Sequence, residues 1–425
     1  MHIAILGRLP ALGLAELEKV FGATVVTPLA GVDAALIDVD LTPDALTRLG
    51  GTVKLAKVLH NLDTQDWRAI EKYLAKTLPD MLKSLPDGKL RLGLSVYGLR
   101  FSPDLINATN LRLKRVVKAT GRSVRVVPNS SPALGSAQVI HNQLTVPTGC
   151  ELLVVKDGRK IILARTIAEQ NIEAYASRDQ ARPARDAFVG MLPPKLAQIM
   201  INLAQPSSSR SANLLSADLT QSTPSGVTRE ADKMISRAGD HEDRPPVILD
   251  PFCGTGVILQ EAALMGYRLY GTDLSEKMIR YSRDNLNWLQ EKFAIRVSWK
   301  IEEADAMNAT WLQPIDAVAT EAYLGQPFSA PPSPAKLTEV RGNCDHIISE
   351  FLKNIGTQID KGTLLCVAVP AWRGKDGMLT HLPLIEKLGT LGYKIHHFRH
   401  IKNEELLYYR PDQVVARELL VIEKA

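Results

Sequence analysis

At 425 residues the chain is longer than one hydrophobic core usually grows, so more than one domain is expected. Apolar residues make up 45% of it and charged residues 23%, the balance of a soluble globular protein rather than a disordered or fibrous one. A net charge of +5 permits a polyanionic partner without requiring one. No apolar run reaches the ~20 residues of a membrane helix, and Met1 to Gly7 lacks the features of a leader peptide. Cys150, Cys253, Cys344 and Cys366 are far apart with no zinc spacing, which suits reduced thiols in a cytoplasmic protein.

In chain order, residues 1–80 read as a small α/β unit. Strands are expected at His2 to Leu6, Ala23 to Thr27, Ala34 to Val39 and Val53 to Leu59. Helices are expected at Leu14 to Phe21, from Thr42-Pro43-Asp44 onward, and at Trp67 to Lys76. Residues 81–170 alternate again, with strands at Leu90 to Val96, Val124 to Val127, Glu151 to Lys156 and Lys160 to Thr166. Helical spacing covers Asp104 to Thr120 and Ser136 to His141. Arg112, Lys114, Arg115, Lys118, Arg122 and Arg125 crowd this stretch, with Asp104 the acid nearby. Such a run is either a solvated face or a surface that holds phosphates.

Residues 171–205 read as a linker and a helix, Gln198 to Leu203, that opens the next domain. Residues 206–245 are rich in Ser, Thr and charge without periodicity and read as a flexible insertion. From 246 to 425 strand and helix alternate, which predicts a doubly wound sheet ending in an antiparallel hairpin. Strands are expected at 247–250, 268–271, 296–301, 315–319 and 363–369, then near 393–401 and 414–422. Helices are expected at 257–265, 275–290, 344–358 and 380–391.

The stretch Val247-Ile248-Leu249-Asp250-Pro251-Phe252-Cys253-Gly254-Thr255-Gly256 carries the strongest signal. An apolar strand ends at an acid, and two glycines then let the backbone turn sharply beside a ligand. Asp273 ends the next strand, about 20 residues beyond the glycine turn, where an acid suits a ribose diol. Asp305 follows the third strand. Three acids at successive strand ends with one glycine turn describe a nucleoside pocket. Asp273, before Leu274-Ser275-Glu276, also has the position of a helix cap. His396, His397 and His400 lack acids or cysteines at ligand spacing, so no metal is expected.

Asp250 to Gly256 resembles the first motif of class I S-adenosylmethionine-dependent methyltransferases that act on exocyclic amines of bases. Leu113-Lys114-Arg115, Gly121 to Val126, Leu134 to Gln138 and His141-Asn142 resemble a THUMP domain, an RNA-binding module of tRNA-modifying enzymes. Ile5 to Leu17, Arg178 to Pro183 and Met191 to Ala197 are similar to segments of THUMP-containing tRNA guanosine N2-methyltransferases, and Tyr408 to Glu418 resembles a further one. The resemblance implies a class I, Rossmann-like α/β domain behind an N-terminal α+β region, ferredoxin-like over 1–80 and THUMP over 81–170. It implies S-adenosylmethionine as cofactor and tRNA as partner, with methyl transfer to N2 of a guanosine. The cofactor would be held by Asp250, Pro251, Gly254, Thr255, Gly256, Asp273, Asp305 and Ala306. RNA would lie on Arg112, Lys114, Arg115, Lys118, Arg122 and Arg125, with Arg410 as a further substrate contact.

An exocyclic amine is a poor nucleophile, because its lone pair is delocalised into the base. It must be held in line, with its N–H bonds engaged by acceptors. The family does this with Asp-Pro-Pro-Tyr or Asn-Pro-Pro-Tyr after the fourth strand. Here the stretch is Thr320-Glu321-Ala322-Tyr323-Leu324-Gly325. Glu321 takes the acid's place with one more methylene, both prolines are missing, and Tyr323 stands one position early. Glu321 and Tyr323 are the expected catalytic pair. A methyltransferase acting on ribosomal RNA or DNA and a non-catalytic RNA-binding protein on the same scaffold remain alternatives.

Overall fold

The computed structural model of the protein describes residues 1–186, 192–205, 244–311, 314–410 and 413–425. It divides into two compact units, Met1–Tyr175 and Ala176–Ala425. Most of the expected 206–245 insertion, Met191 of the connector motif, and Pro411 and Asp412 lie outside the described residues. No described helix is long and apolar enough to cross a membrane.

The first unit holds β1 (His2–Leu6), β2 (Val26–Pro28), β3 (Ala34–Ile37), β4 (Thr52–Leu62), β5 (Leu90–Tyr97), β6 (Val124–Val126), β7 (Gly149–Asp157) and β8 (Lys160–Glu169). They form one eight-stranded sheet in the order β2-β3-β1-β4-β8-β7-β5-β6. The division expected at residue 80 falls inside helix α2 (Trp67–Leu82), and β4 pairs with β8 across it. Both halves therefore share one sheet.

Helices α1 (Pro10–Phe21) and α3 (Pro103–Ala119) begin on prolines in their first turns, where the missing N–H costs nothing. Ile106, Leu113 and Val117 recur at helical spacing on α3. They share a core with Ile70, Leu74 and Leu78 of α2 and Leu92 and Leu94 of β5. Helix α4 (Ser136–His141) matches its expected span. A buried polar group ties four strands together. Lys54 Nζ lies 2.6 Å from Glu151 Oε1 and 3.4 Å from Glu169 Oε2, while Ser95 and Thr166 hydroxyls donate to Glu151. Burial opposes the lysine's charge, and Glu151, Tyr97 and Glu169 outweigh it.

Helix α5 (Ile172–Gln180) leads into the second unit and α6 (Pro194–Ala204) follows. Its strands are β9 (Val247–Asp250), β10 (Arg268–Asp273), β11 (Trp299–Glu303), β12 (Ala317–Glu321), β13 (Leu364–Arg373), β14 (Leu379–Thr380), β15 (Tyr393–Ile395), β16 (Leu407–Tyr408) and β17 (Val415–Lys424). The sheet order is β11-β10-β9-β12-β13-β17-β15, parallel from β11 to β13 and antiparallel at β17, the doubly wound sheet with an antiparallel end that the alternation predicts.

The central strands read as continuous apolar runs because both faces are covered. Val247, Leu249, Val318, Leu365 and Val367 join a cluster with Cys344, Ile348, Phe351 and Leu352 of helix α9 (Pro334–Gly356). The intervening Ile248, Ala319, Cys366 and Ala368 are as fully buried, and α6 packs on β12 and β13. Helices α7 (Val257–Leu264) and α8 (Glu276–Phe293) follow β9 and β10.

Two expectations near the C-terminus are corrected. The helix expected over 380–391 is a five-residue 3-10 turn, Pro383–Lys387, between a proline and Gly389. The strand expected over 393–401 stops at Ile395, because β16 occupies the next stretch of the β17 edge, at Arg417 and Glu418.

Candidate active site

Strand order reverses between β9 and β12: the chain builds β9, β10 and β11 outward on one side and then returns to the other side of β9. In a parallel sheet such a point leaves a crevice beyond the carboxyl ends of the strands. A cavity of about 810 Å³ opens there, ample for a small-molecule ligand.

The glycine turn forms its floor. Gly254 and Gly256 have φ of +50° and +78°, the left-handed region that favours glycine. A Cβ on Gly256 would also lie 2.9 Å from the Ser282 hydroxyl oxygen of α8. The turn is held from both sides. Cys253 N–H donates to Thr272 O, Ser282 Oγ donates to Gly254 O, and Asn285 Nδ2 donates to Thr255 O. The same Asn285 amide exchanges two hydrogen bonds with the Ala184 backbone, tying the Arg-Pro segment to the turn.

The acids differ in state. Asp250 is 2% exposed and accepts from the Thr320 hydroxyl at 2.7 Å and from Phe252 N–H. Burial pushes its carboxyl up to about 7; the Thr320 and Phe252 hydrogen bonds oppose this, while Asp273 and Glu321 add to it. Asp273 accepts from Gly254 N–H and Ser275 N–H, both at 2.9 Å, so it caps the next turn and also holds the glycine loop. Burial raises its carboxyl, and those two N–H groups oppose the rise. Asp305 Oδ1 accepts from Met307 N–H at 2.9 Å, capping its own turn at the pocket wall.

Glu321 is largely buried, and its Oε1 accepts from Arg417 Nε. Burial raises its carboxyl, while the guanidinium charge and hydrogen bond oppose that shift. Tyr323, two residues on, is 46% exposed, and Leu274 stands out at 70%. An open aromatic at a pocket wall offers a face for a base.

The structure brings Asp250, Pro251, Gly254, Thr255, Asp273, Asp305, Ala306, Glu321 and Tyr323 around one cavity. Gly256 is not in its lining and caps α7 in left-handed conformation instead. Sequence reading overlooked Asp186, which pairs with Lys277 at 2.7 Å on the pocket wall. It also overlooked Arg417: within Tyr408 to Glu418 it chose the exposed Arg410. A charged pair, Arg417-Glu418, ahead of the apolar run Leu419 to Ile422 in one strand was the available signal. Among the described residues no group of three or more His, Cys, Asp or Glu stands where it would hold a metal.

The six basic residues lie in the first unit. Arg112 pairs with Glu71 at 2.6 Å, and Arg122 donates to the carbonyls of Leu82, Pro86 and Gly88. Both therefore have structural partners. Arg115, Lys118 and Arg125 are exposed and Lys114 half-buried, and none of these four forms an ion pair among the described residues.

Residues 230–344 match the family model of the RMKL-like methyltransferase domain, UPF0020. The tRNA (guanine(10)-N2)-dimethyltransferase of Methanothermobacter thermautotrophicus is 28% identical over 222 residues, 52% of this chain and 50% of that protein. That of Pyrococcus abyssi is 26% identical over 239 residues, 56% of this chain and 58% of its own. The chain thus spans about half the length of the curated relatives it matches. The crystal structure of TrmN from Thermus thermophilus is 17% identical with a TM-score of 0.48, covering 100% of this chain and 99% of that one. The stretch that matches the RMKL-like methyltransferase-domain model thus includes the glycine turn and the strands on either side of the point where the sheet order reverses.

Proposed function

We propose that the protein is an S-adenosylmethionine-dependent RNA methyltransferase that modifies an exocyclic amine, N2 of a guanosine in tRNA. The observation that carries this is the convergence, in one cavity, of the acids at the ends of β9 and β10 with Glu321 and Tyr323 at the end of β12. The tRNA (guanine(10)-N2)-dimethyltransferase relatives supply the polymer and the base.

The chain's own residues fit such a cofactor. Asp250 and Asp273 are carboxyls lifted by burial, and a cationic ligand would relieve that cost. Asp273 would accept from ribose hydroxyls, and Asp305 with Ala306 would meet the adenine, all three lining the same cavity. Bound S-adenosylmethionine supplies an electrophilic methyl whose transfer leaves a neutral thioether. Glu321 would accept an N–H of the target amine, which sharpens the nitrogen lone pair and fixes its direction. Tyr323 would stack on the base, worth ~1–3 kcal/mol. Residues 1–170 are assigned as the RNA-binding half, with Lys114, Arg115, Lys118 and Arg125 meeting phosphates.

The test is transfer of a labelled methyl to unmodified tRNA, ribosomal RNA and DNA, with digestion of the product to nucleosides. Label should appear in tRNA as N2-methylguanosine, and Glu321→Ala should slow single turnover by about 10²–10³-fold, the usual cost of a missing acceptor or donor at a reacting centre. Label in DNA or ribosomal RNA alone would transfer the reaction to that polymer. Cofactor binding without label in any polymer would leave the non-catalytic reading.

A further inference from the structure

Glu321 ends β12, and the sheet places first β13 and then β17 beside it. From β17, Arg417 Nε reaches across to donate to Glu321 Oε1. Arg417 is 7% exposed and is absent from the cavity lining, whereas Glu321 lines it. The guanidinium thus meets the carboxylate from behind the pocket wall. A buried cation in a strand whose other neighbours besides Glu418 are Ala416, Leu419, Leu420 and Val421 carries a heavy desolvation cost, which a well-placed anion offsets. Its position is fixed a second time: Tyr408 of β16 pairs with it in register, and the guanidinium lies 5.9 Å from that ring's centroid. On the other side of the ion pair, Glu321 has three side-chain torsions and is followed by Ala322, so an acceptor at this place needs an outside constraint.

We propose that Arg417 is a positioning residue for the amine acceptor, engaging one oxygen of Glu321 so that the second is held, as carboxylate, toward the target N–H. This rests on the methyl-transfer reading above. Asp250 on β9 is a further charged group that acts on Glu321, and α6, which packs on β12, carries one charged residue, Lys195. The facing residue on β13 is Ala368, and Glu418, next along β17, pairs with His381 instead. Tyr323 and Tyr408 are the nearby phenols. Among the described residues, Arg417 is therefore the cation that meets the Glu321 carboxylate directly.

Wild type, Arg417→Gln, Arg417→Lys and Glu321→Gln are compared as full chains, each checked for S-adenosylhomocysteine binding by calorimetry. Two profiles against pH are then recorded: single-turnover methyl transfer to unmodified tRNA, and the 13Cδ resonance of Glu321, assigned by its loss in Glu321→Gln. In Arg417→Gln the Glu321 midpoint and the acid limb of the rate should both move up by about one pH unit, equivalent to ~1.4 kcal/mol. Arg417→Lys should restore the midpoint and only part of the rate, because an ammonium lacks the planar fork. An Arg417→Gln protein that binds the analogue and keeps both wild-type midpoints overturns the proposal. A wild type that methylates no RNA, with the Glu321 midpoint still shifting in Arg417→Gln, defeats the methyl-transfer reading and upholds the pairing. Should Arg417→Gln lose analogue binding, the double variant Arg417→Gln/Glu321→Gln decides. Regained binding supports a mutually dependent pair, and none overturns it.

Discussion

A carboxyl buried as fully as that of Asp250 ionises only where neighbours offset the lost hydration, and here they are one hydroxyl and one backbone N–H. Its value of about 7 lies above the ordinary aspartate range, so the folded chain retains a proton that the unfolded chain has shed. This group therefore subtracts stability as pH rises from about 4 to 7 and leaves the full deficit above that. Asp250→Asn keeps an oxygen for Thr320 and Phe252. It should be more stable than wild type by about 1–3 kcal/mol in urea unfolding at about pH 8, and no more stable at about pH 4. Equal stability of the two proteins at alkaline pH would refute the raised carboxyl. A second consequence concerns the cofactor. A sulfonium favours the ionised acid, so binding near neutrality should release protons, read as buffer-dependent heats in calorimetry. Heats independent of the buffer would count against it.

Among the elements, α5 and the segment after it are fastened to the glycine turn more firmly than a linker needs to be. Arg178 forms a buried pair with Glu261 of α7 at 2.7 Å, Asn285 joins Ala184 to Thr255, and Lys277 holds Asp186. Arg178→Met would leave Glu261, 1% exposed, without its hydrogen-bonded cation and with only the weaker influence of Arg182, and should lower the stability of the second unit by about 3–5 kcal/mol. Arg178→Met/Glu261→Gln should recover most of that loss, and a double variant as weak as the single one would show that the pairing is not the cause. These tethers also mark where sequence reading ends. The glycine turn was legible because an apolar run, an acid and two left-handed glycines are written within ten residues. Arg178 with Glu261 and Glu321 with Arg417 lie 83 and 96 residues apart, and no local pattern records such partners. Helix α9 starts at Pro334, ten residues before its expected start at 344, because its first turns are largely exposed and only Leu337 and Val340 reach the core there. The signal there was Ser333, whose hydroxyl oxygen accepts from Lys336 N–H ahead of a first-turn proline.

For the whole molecule, the basic residues of the first unit divide into those with structural duties and those left for a polyanion. Replacing Arg115, Lys118 and Arg125 by Glu should weaken tRNA binding and flatten its dependence on log salt by about 0.7–0.9 for each phosphate no longer neutralised. Arg122→Ala should instead lower the melting temperature, since three carbonyls lose their donor. Unchanged tRNA affinity in the triple variant would remove this face from the RNA path. One feature of the second sheet reaches beyond binding. β17 comes last of its nine strands in sequence, yet it lies between β13 and β15. During synthesis the apolar edge of β13 therefore has no β17 to pair with until that strand emerges, a window in which strand-to-strand aggregation threatens. Arg417 arrives on that same strand. A nascent or truncated chain with an open sheet would thus also have an untethered Glu321, so on the proposed methyl-transfer reading one stretch of ten residues both covers the edge of β13 and holds the amine acceptor.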